Sequence, residues 1–169
     1  FSHTIKKQPY NRDLLRAILE KNITLYDHET LVDEHNHRLI GFGYYAGVVG
    51  AYNGMRALGL KEHTFNLPKA ASLSGLEELH SELDKISLPN IKIILTGTGR
   101  VGQGAKEILD HLKIKKVSVE DFLSTNFTEA VYVQLDALDY CERIDGKQLG
   151  KSDFFKNPEA YRSTFDRFT

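Results

Sequence analysis

The sequence is poor in the residues and runs that mark several classes of protein. Its 169 residues include one cysteine, one methionine and no tryptophan, and the net charge is −1. The single cysteine, Cys141, excludes a disulfide within the chain, as we expect of a protein of the reducing cytoplasm. The near-zero charge and the lack of a basic cluster argue against nucleic acid as the main partner. No apolar run reaches the length of a membrane span, and no signal peptide is visible.

The sequence also lacks the short motifs of several enzyme classes. It has no G-x-S-x-G turn for a nucleophilic serine, and no Walker-type lysine follows its glycines. The histidines lack the spacing of metal ligands, so we expect no metal site. Cys141 is expected to be a core or loop residue and not a nucleophile. What remains is an ordinary globular composition, 41% hydrophobic and 27% charged, long enough for one full domain or two partial ones.

Residues 92–112 have the most specific pattern in the chain. Ile93 to Leu95 form a short apolar run, typical of a strand buried on both faces. Gly97, Gly99 and Gly102 then occupy the glycine positions of G-x-G-x-x-G. Apolar residues follow at helical spacing, namely Val101, Ala105, Ile108, Leu109 and Leu112. The glycines are therefore predicted to lie at a turn from a strand into a helix.

This arrangement is typical of a site that binds the pyrophosphate of a dinucleotide. Gly97 permits a tight turn, Gly99 lets the backbone approach the pyrophosphate, and Gly102 lets the helix pack closely on the strand. The helix N-terminus presents free N–H groups and the positive end of its dipole to the phosphates. We predict that these glycines, with Arg100 and Val101 between them, bind the cofactor. A guanidinium at Arg100 would favour an additional phosphate.

The acidic partner of such a loop is expected about 20 residues later, at the end of the next strand. Residues 116–119 are predicted to be that strand, and Glu120 follows it. A carboxylate there would bind the ribose hydroxyls and repel a 2′-phosphate, so we expect NAD or NADP with NAD favoured. The alternative places Glu120 in the first turn of a short helix, where the helix dipole favours an acid. Both alternatives are left open by the sequence.

The rest of the chain is predicted to alternate between strands and helices. We expect strands at residues 1–5, 23–26, 38–40 and 130–134, and helices at residues 12–21 and from about 47 to 58, the latter ending at Gly59. Glycines at positions 47, 50 and 54 predict that the second helix packs closely against another backbone. The chain begins without methionine and only two or three βα units follow the glycine loop, so we expect an internal piece of a longer protein.

Four residues near predicted strand ends are candidates for substrate chemistry. His3 titrates near neutral pH, and Lys6 carries an ammonium that would hold a carboxylate. Glu29 is a candidate charge partner that keeps the lysine protonated. Arg38 is a second candidate carboxylate clamp, because its guanidinium donates a bidentate pair of hydrogen bonds. Taken singly, each of these residues is also compatible with an ordinary place on the protein surface.

Three stretches resemble a known family of enzymes. They are Phe-Ser-His-Thr-Ile-Lys-Lys-Gln at residues 1–8, Leu-Tyr-Asp-His-Glu at residues 25–29, and Arg-Leu-Ile-Gly-Phe-Gly-Tyr-Tyr-Ala-Gly at residues 38–47. Together with the glycine loop at residues 96–105, they resemble saccharopine dehydrogenases and lysine–ketoglutarate reductases, within the alanine dehydrogenase and transhydrogenase group. The match is best in residues 1–50 and 92–112 and loose from residue 136 onward.

The resemblance implies part of a two-domain α/β dehydrogenase with a parallel Rossmann-type sheet. Residues 1–89 would be the C-terminal part of the substrate domain with linking helices, and residues 90–169 the first half of the NAD(P)-binding domain. The implied reaction interconverts saccharopine with lysine and 2-oxoglutarate. His3 matches the acid–base histidine and Lys6 a lysine of the substrate pocket. Glu29 matches its paired glutamate, and Arg38 an arginine near substrate carboxylates.

The family's other acid–base lysine lies upstream of the position that matches Phe1, so we expect the chain alone to be inactive. Two alternatives to the saccharopine reaction stay open. One is an alanine-dehydrogenase-like or opine-type enzyme, and the other is a nucleotide-binding module without catalysis. The expected partners are a small amino-acid or keto-acid substrate and a second copy of the chain in a homo-oligomer, without nucleic acid or membrane.

Overall fold

The structure is a computed structural model that describes residues 7–147 and 150–169, and its contacts divide the chain into two units. These are Phe1–Phe42 and Gly43–Thr169. The α-helices are α1 (Arg12–Glu20), α2 (Gly43–Glu62), α3 (Leu76–Leu83), α4 (Arg100–His111), α5 (Val119–Ser124) and α6 (Lys151–Lys156). The strands are β1 (Lys92–Thr96), β2 (Lys115–Lys116), β3 (Val131–Leu135), β4 (Cys141–Arg143) and β5 (Tyr161–Ser163). The predicted boundary between residues 89 and 90 is a different division and stays a prediction.

In the described part of the first unit, the predicted helix is confirmed and two predicted strands are wrong. Helix α1 follows a 3-10 turn at Pro9–Asn11 and buries Ile18. Residues 23–26 have no regular structure, and Arg38 makes only one isolated antiparallel bridge, to Val32. Apolar residues favour a strand only where neighbouring strands complete a sheet. No such ladder is present in residues 7–42. The predicted strand at residues 1–5 lies outside the described residues.

The second unit contains a parallel three-stranded sheet in the order β1-β3-β2. The register pairs Lys92 with Val131 and Thr96 with Leu135, and β2 pairs with the other side of β3. The α/β class, with parallel strands connected by helices, is therefore confirmed. The predicted strand at residues 116–119 is corrected, since β2 ends at Lys116. Within the described residues β1 is an edge strand of this sheet.

Two apolar clusters cover the two faces of the sheet, as expected because successive side chains along a strand point to opposite faces. Tyr132 of β3 and Ile108 of α4 belong to the cluster on one face, which also includes residues of α2 and α3. Val133 of β3 and Phe122 of α5 belong to the cluster on the other face. Helices α4 and α5 thus lie on opposite faces, and β3 is buried on both sides, as the apolar sequence of a central strand predicts.

Helices α2 and α4 pack with their backbones in close contact. A Cβ atom built at Gly47 of α2 would overlap the carbonyl oxygen of Val101, and one at Gly104 of α4 would overlap that of Tyr44. The close packing predicted for α2 is confirmed at Gly47. At Gly50 and Gly54, by contrast, an added Cβ would meet no atom within 4 Å. The helix also continues past its predicted end, since Gly59 lies inside it and Glu62 is its last residue.

Candidate functional site

The glycine loop joins the end of β1 to the start of α4, as the sequence predicts. Gly97 has φ +91°, a conformation that favours glycine because a side chain there is strained. Its N–H donates to the carbonyl of Leu135 at 2.7 Å, which ties the turn to the end of β3. The glycine at position 97 is therefore required by the backbone conformation itself.

Gly99 and Gly102 meet different surroundings, which fit the two roles predicted for them. A Cβ at Gly102 would overlap the carbonyl oxygen of Gly97, so only glycine lets α4 begin this close to the strand. A Cβ at Gly99 would meet no protein atom within 4 Å, so the space above this residue is open. Gly99 is the N-cap of α4 and has no side chain to cap the first turn. The free N–H groups of that turn are the ordinary place for an anion at a helix N-terminus.

Arg100 and Val101 form the first turn of α4, and both side chains are exposed. Val101 is 54% exposed, so it does not belong to the buried stripe that the helical spacing predicts. Its carbonyl group, as described above, instead contacts α2 beside Gly47. The structure places both residues beside the three glycines, and their binding to a cofactor stays a prediction.

Polar residues at the end of β3 contact the glycine loop, and sequence reasoning missed them. The carboxylate of Asp136 accepts a hydrogen bond from the hydroxyl of Thr98 at 3.2 Å and one from the ammonium of Lys151 at 2.6 Å. The side-chain amide of Gln134 donates to the carbonyl of Gly97 at 3.0 Å. The pKa of Asp136 lies below its usual value, first because Lys151 bonds to the charged carboxylate. The rule that ligands bind at the carboxyl ends of parallel strands would have indicated these residues.

Glu120 lies in the first turn of α5, and this is the second of the two alternatives left open by the sequence. The helix begins at Ser118, whose hydroxyl accepts a hydrogen bond from the N–H of Asp121 at 3.0 Å. The preceding strand, β2, pairs with β3 and not with β1. Glu120 therefore follows a strand that is not adjacent to the one carrying the glycine loop. Its predicted contact with the cofactor ribose stays a prediction.

In the first unit the structure brings Glu29 and Arg38 together. The guanidinium of Arg38 bonds to the carboxylate of Glu29 at 3.2 Å, and the Glu29 side chain is only 11% exposed. The backbone N–H of Glu29 donates to the buried carboxylate of Asp27 at 3.0 Å, which fixes the start of the 3-10 turn His28–Thr30. Asp27 is 5% exposed and was not predicted as a site residue. His3 and Lys6 lie outside the described residues.

A stacked histidine pair lies where α3 packs against α4. The rings of His80 and His111 are 4.1 Å apart between centroids and nearly parallel. His111 bonds to Asp84 at 2.9 Å, and Glu107 lies 3.4 Å from the ring nitrogen Nε2 of His80. The pKa of His80 lies below its usual value because burial, and then the neighbouring His111, disfavour its charged form. The contact between the two helices therefore favours the neutral form of His80.

Cys141 lies in β4, and burial raises the pKa of its thiol. A raised pKa favours the thiol form of the sulfur. Cys141 is half-buried in a strand, and not in the core or in a loop as predicted. No group of three or more histidine, cysteine, aspartate or glutamate side chains in residues 7–147 and 150–169 is placed to hold a metal ion. No helix in this part of the chain is long and apolar enough to cross a membrane.

An apolar groove of about 530 Å³ lies along β1, between α2 and α4. Gly50 and Gly54 line it together with Ile93 and Leu95 of the strand. Of the residues predicted to bind the cofactor, Val101 lines this groove, whereas Gly97, Gly99, Arg100 and Gly102 do not. Dinucleotides bind beyond the carboxyl ends of parallel strands and not along a strand edge. The groove therefore adjoins the candidate cofactor site at Val101.

A glycine loop between a parallel strand and a helix, with helices on both faces of the sheet, fits part of a Rossmann-like fold. Known proteins agree with this class. No family model matches the chain. It is 31% identical to alpha-aminoadipic semialdehyde synthase of Arabidopsis thaliana over 98% of the chain and 19% of the relative. It is 30% identical to the mitochondrial alpha-aminoadipic semialdehyde synthase of Rattus norvegicus, over 98% of the chain and 20% of the relative.

A third relative is saccharopine dehydrogenase [NAD(+), L-lysine-forming] of Candida glabrata, 30% identical over 70% of the chain and 35% of the relative. The chain spans about a fifth of the length of the two synthases and about a third of this dehydrogenase. The resemblance inferred from the sequence is confirmed: the chain is a homologue of alpha-aminoadipic semialdehyde synthases and saccharopine dehydrogenases, and belongs with that family of oxidoreductases.

Proposed function

We propose that the chain carries the glycine-rich part of a nicotinamide-dinucleotide site in an oxidoreductase acting on the CH–NH group of saccharopine. The observation that carries the proposal is the glycine loop, in which Gly97, Gly99 and Gly102 each have the surroundings that pyrophosphate binding needs. The names of the relatives support the choice of substrate. The net reaction consumes saccharopine, water and NAD(P)+ and yields lysine, 2-oxoglutarate, NAD(P)H and a proton.

The residues present fit a dinucleotide. The open space above Gly99 admits the pyrophosphate to the backbone, and the N–H groups of Arg100, Val101 and Gly102 lie in the unpaired first turn of α4. A bound nicotinamide supplies hydride transfer to and from the carbon that carries the secondary amine. The protein's part is to orient that ring and to hold the substrate.

On the substrate side, we propose His3 as the acid–base group for the proton transfers of imine hydrolysis. Lys6 and Arg38 would bind carboxylates, of which saccharopine has three. Glu29 would be the negatively charged partner of its cationic neighbours. The ion pair between Arg38 and Glu29 supports the last role. It also means that a substrate carboxylate would share the Arg38 guanidinium with Glu29, using the remaining donors of the fork.

For the cofactor we propose NAD, with support from the name of the Candida relative. Glu120 is the residue on which the sequence-based preference depends, and it can be tested directly. If its carboxylate binds the ribose, Glu120→Ala weakens NADH binding and strengthens NADPH binding in fluorescence titrations. Equal affinities of the variant and the unmodified chain for both cofactors would remove Glu120 from the site.

The activity is tested in the whole protein that contains these residues, by following NADH absorbance with saccharopine and NAD. His3→Ala should abolish turnover and leave NADH binding intact. Turnover on pyruvate and ammonia in place of lysine and 2-oxoglutarate would indicate the alanine-type alternative. Binding of NADH without turnover on either substrate pair would indicate a nucleotide-binding module and overturn the proposal.

We further propose a cytoplasmic homo-oligomer whose only ligands are small molecules. Support for self-association comes from large apolar side chains of the first unit that are 66% to 80% exposed, namely Tyr10, Leu19, Tyr26, Leu39 and Phe42. Light scattering at increasing concentration tests the oligomer. The rat relative is named as mitochondrial, so fluorescence imaging of the tagged whole protein is the test of the compartment.

A further inference from the structure

Gln134 lies at the end of the central strand, β3, and its side chain bonds to the glycine loop and to β2. Its side chain lies at the carboxyl end of β3, where its amide nitrogen donates to the carbonyl of Gly97 at 3.0 Å. On the other side, its amide oxygen accepts a hydrogen bond from the ammonium of Lys116, on β2, at 3.2 Å. The Gln134 side chain is half-buried; its bond to Gly97 is partly shielded from water, whereas its bond to Lys116 is exposed.

The orientation of this amide is determined by its partners. A lysine ammonium can only donate hydrogen bonds, and a backbone carbonyl can only accept them. The oxygen of Gln134 must therefore face Lys116 and its nitrogen must face Gly97. A flipped amide would place two donors together on one side and two acceptors on the other.

The position of the Gly97 carbonyl depends on Gln134 and on Gly102. Gln134 donates to it, and the absence of a side chain at Gly102 leaves room for it at the start of α4. Since a trans peptide is planar, its C=O and N–H point in opposite directions. Fixing the Gly97 carbonyl toward Gln134 therefore points the N–H of Thr98 away from the Gln134 side chain. This peptide precedes Gly99, where the backbone is open to a ligand.

We propose that Gln134 is a positioning residue, which sets the peptide between Gly97 and Thr98 in the orientation that receives a dinucleotide pyrophosphate. The inference rests on the proposed dinucleotide site. Gln134 itself does not contact the cofactor in this scheme. Its hydrogen bond to Gly97 keeps this peptide from flipping. The loop therefore has the orientation that binds the cofactor before the cofactor arrives.

The first test is the affinity of the chain for NADH after Gln134→Met, which keeps the length of the side chain and removes the amide. Loss of one hydrogen bond that pre-orders the loop should weaken binding roughly three- to tenfold. The matched control is Gln103→Met, since that amide also faces a loop carbonyl, of Thr98, but at 3.4 Å and exposed to solvent. Equal affinity of Gln134→Met and the unmodified chain overturns the inference.

The second test needs no ligand. The amide NMR signal of Thr98 should shift or broaden in Gln134→Met and stay unchanged in Gln103→Met, whose side chain faces the carbonyl of Thr98 in the next peptide. Unchanged signals in both variants overturn the inference, even if affinity falls. Should Gln134→Met not fold, Gln134→Glu retains the contact with Lys116 but has no N–H for Gly97, and the same changes are expected. Failure of the unmodified chain to bind NADH overturns the dinucleotide proposal instead, and the amide signals still report whether Gln134 orients the loop.

Discussion

The contact between α2 and α4 gives a prediction that can be worked out from the structure. In Gly47→Ala, the new methyl group would overlap the carbonyl oxygen of Val101 and lie 2.7 Å from the N–H nitrogen of Ala105. Both atoms belong to the backbone of α4, so neither can rotate away and the helices must separate. Overpacking of this kind costs about 1–3 kcal/mol, and contact with backbone favours the upper end of that range.

Gly50→Ala is the matched control, because it lies one turn along the same helix and its methyl group would meet no atom within 4 Å. Both variants gain about 1 kcal/mol from the better helix propensity of alanine. This gain cancels when the two variants are compared with each other. Gly47→Ala should therefore be less stable than Gly50→Ala by about 2–3 kcal/mol, the cost of overpacking alone.

The assay is urea unfolding followed by circular dichroism at equilibrium, with the free energy of unfolding extrapolated to water. We expect Gly50→Ala to be more stable than the unmodified chain and Gly47→Ala to be less stable. If the two alanine variants unfold at the same urea concentration, the backbones of α2 and α4 are not in contact. The position of α4 beneath the glycine loop would then have to be reconsidered.

Three further predictions concern the loop and its neighbours. Gly97→Ala should lose about 1–2 kcal/mol in urea unfolding, because its φ of +91° strains any side chain, and an unchanged midpoint would refute that conformation. Because the pKa of His80 is lowered in the folded chain, the unfolded chain takes up a proton at this residue more readily than the folded chain does. The free energy of unfolding should therefore fall as the pH drops through about 6.5. His80→Gln should flatten this dependence; equal slopes for this variant and the unmodified chain in melts between about pH 7.5 and 5.5 would contradict the account. Because the pKa of Asp136 is lowered, its charged form stabilises the fold above the usual carboxyl pKa, so the stability difference from Asp136→Asn should shrink as the pH falls from about 6 to 3.

The sequence predicted the parts of the fold that depend on neighbouring residues. The apolar run before Gly97 and the helical spacing after it predicted β1 and α4, although among the described residues β1 is an edge strand that is only half-buried and not buried on both faces as expected. The same reasoning identified the strand at residues 130–134, which the structure places at Val131–Leu135. The turn at Gly97 and the close packing at Gly102 followed as well, since each depends on the local course of the backbone, whereas the contact of Gly99 with a pyrophosphate stays a prediction.

Features that depend on distant residues could not be predicted in this way. The residue pattern at positions 23–26 predicted a strand, but no neighbouring strand pairs with these residues in the part of the chain that the structure describes. The sequence left Glu120 either at the end of a strand or in the first turn of a short helix, and only the structure, in which β2 ends at Lys116 and α5 begins at Val119, decides for the helix. The contacts of Gln134 and Asp136 with the glycine loop span 37 and 38 residues of sequence and arise only because β3 pairs with β1.

The most direct test of the account is the affinity of the chain for NADH after Gly99→Ala. The methyl group would enter the open space above the loop, so the fold should be as stable as before while NADH binds at least about tenfold more weakly. Gly75→Ala is the matched control, because Gly75 is also a helix N-cap with no atom within 4 Å of an added Cβ, at the start of α3. Weaker binding in Gly99→Ala alone would support a pyrophosphate site at this loop. Equal NADH affinity in both variants and the unmodified chain would contradict it.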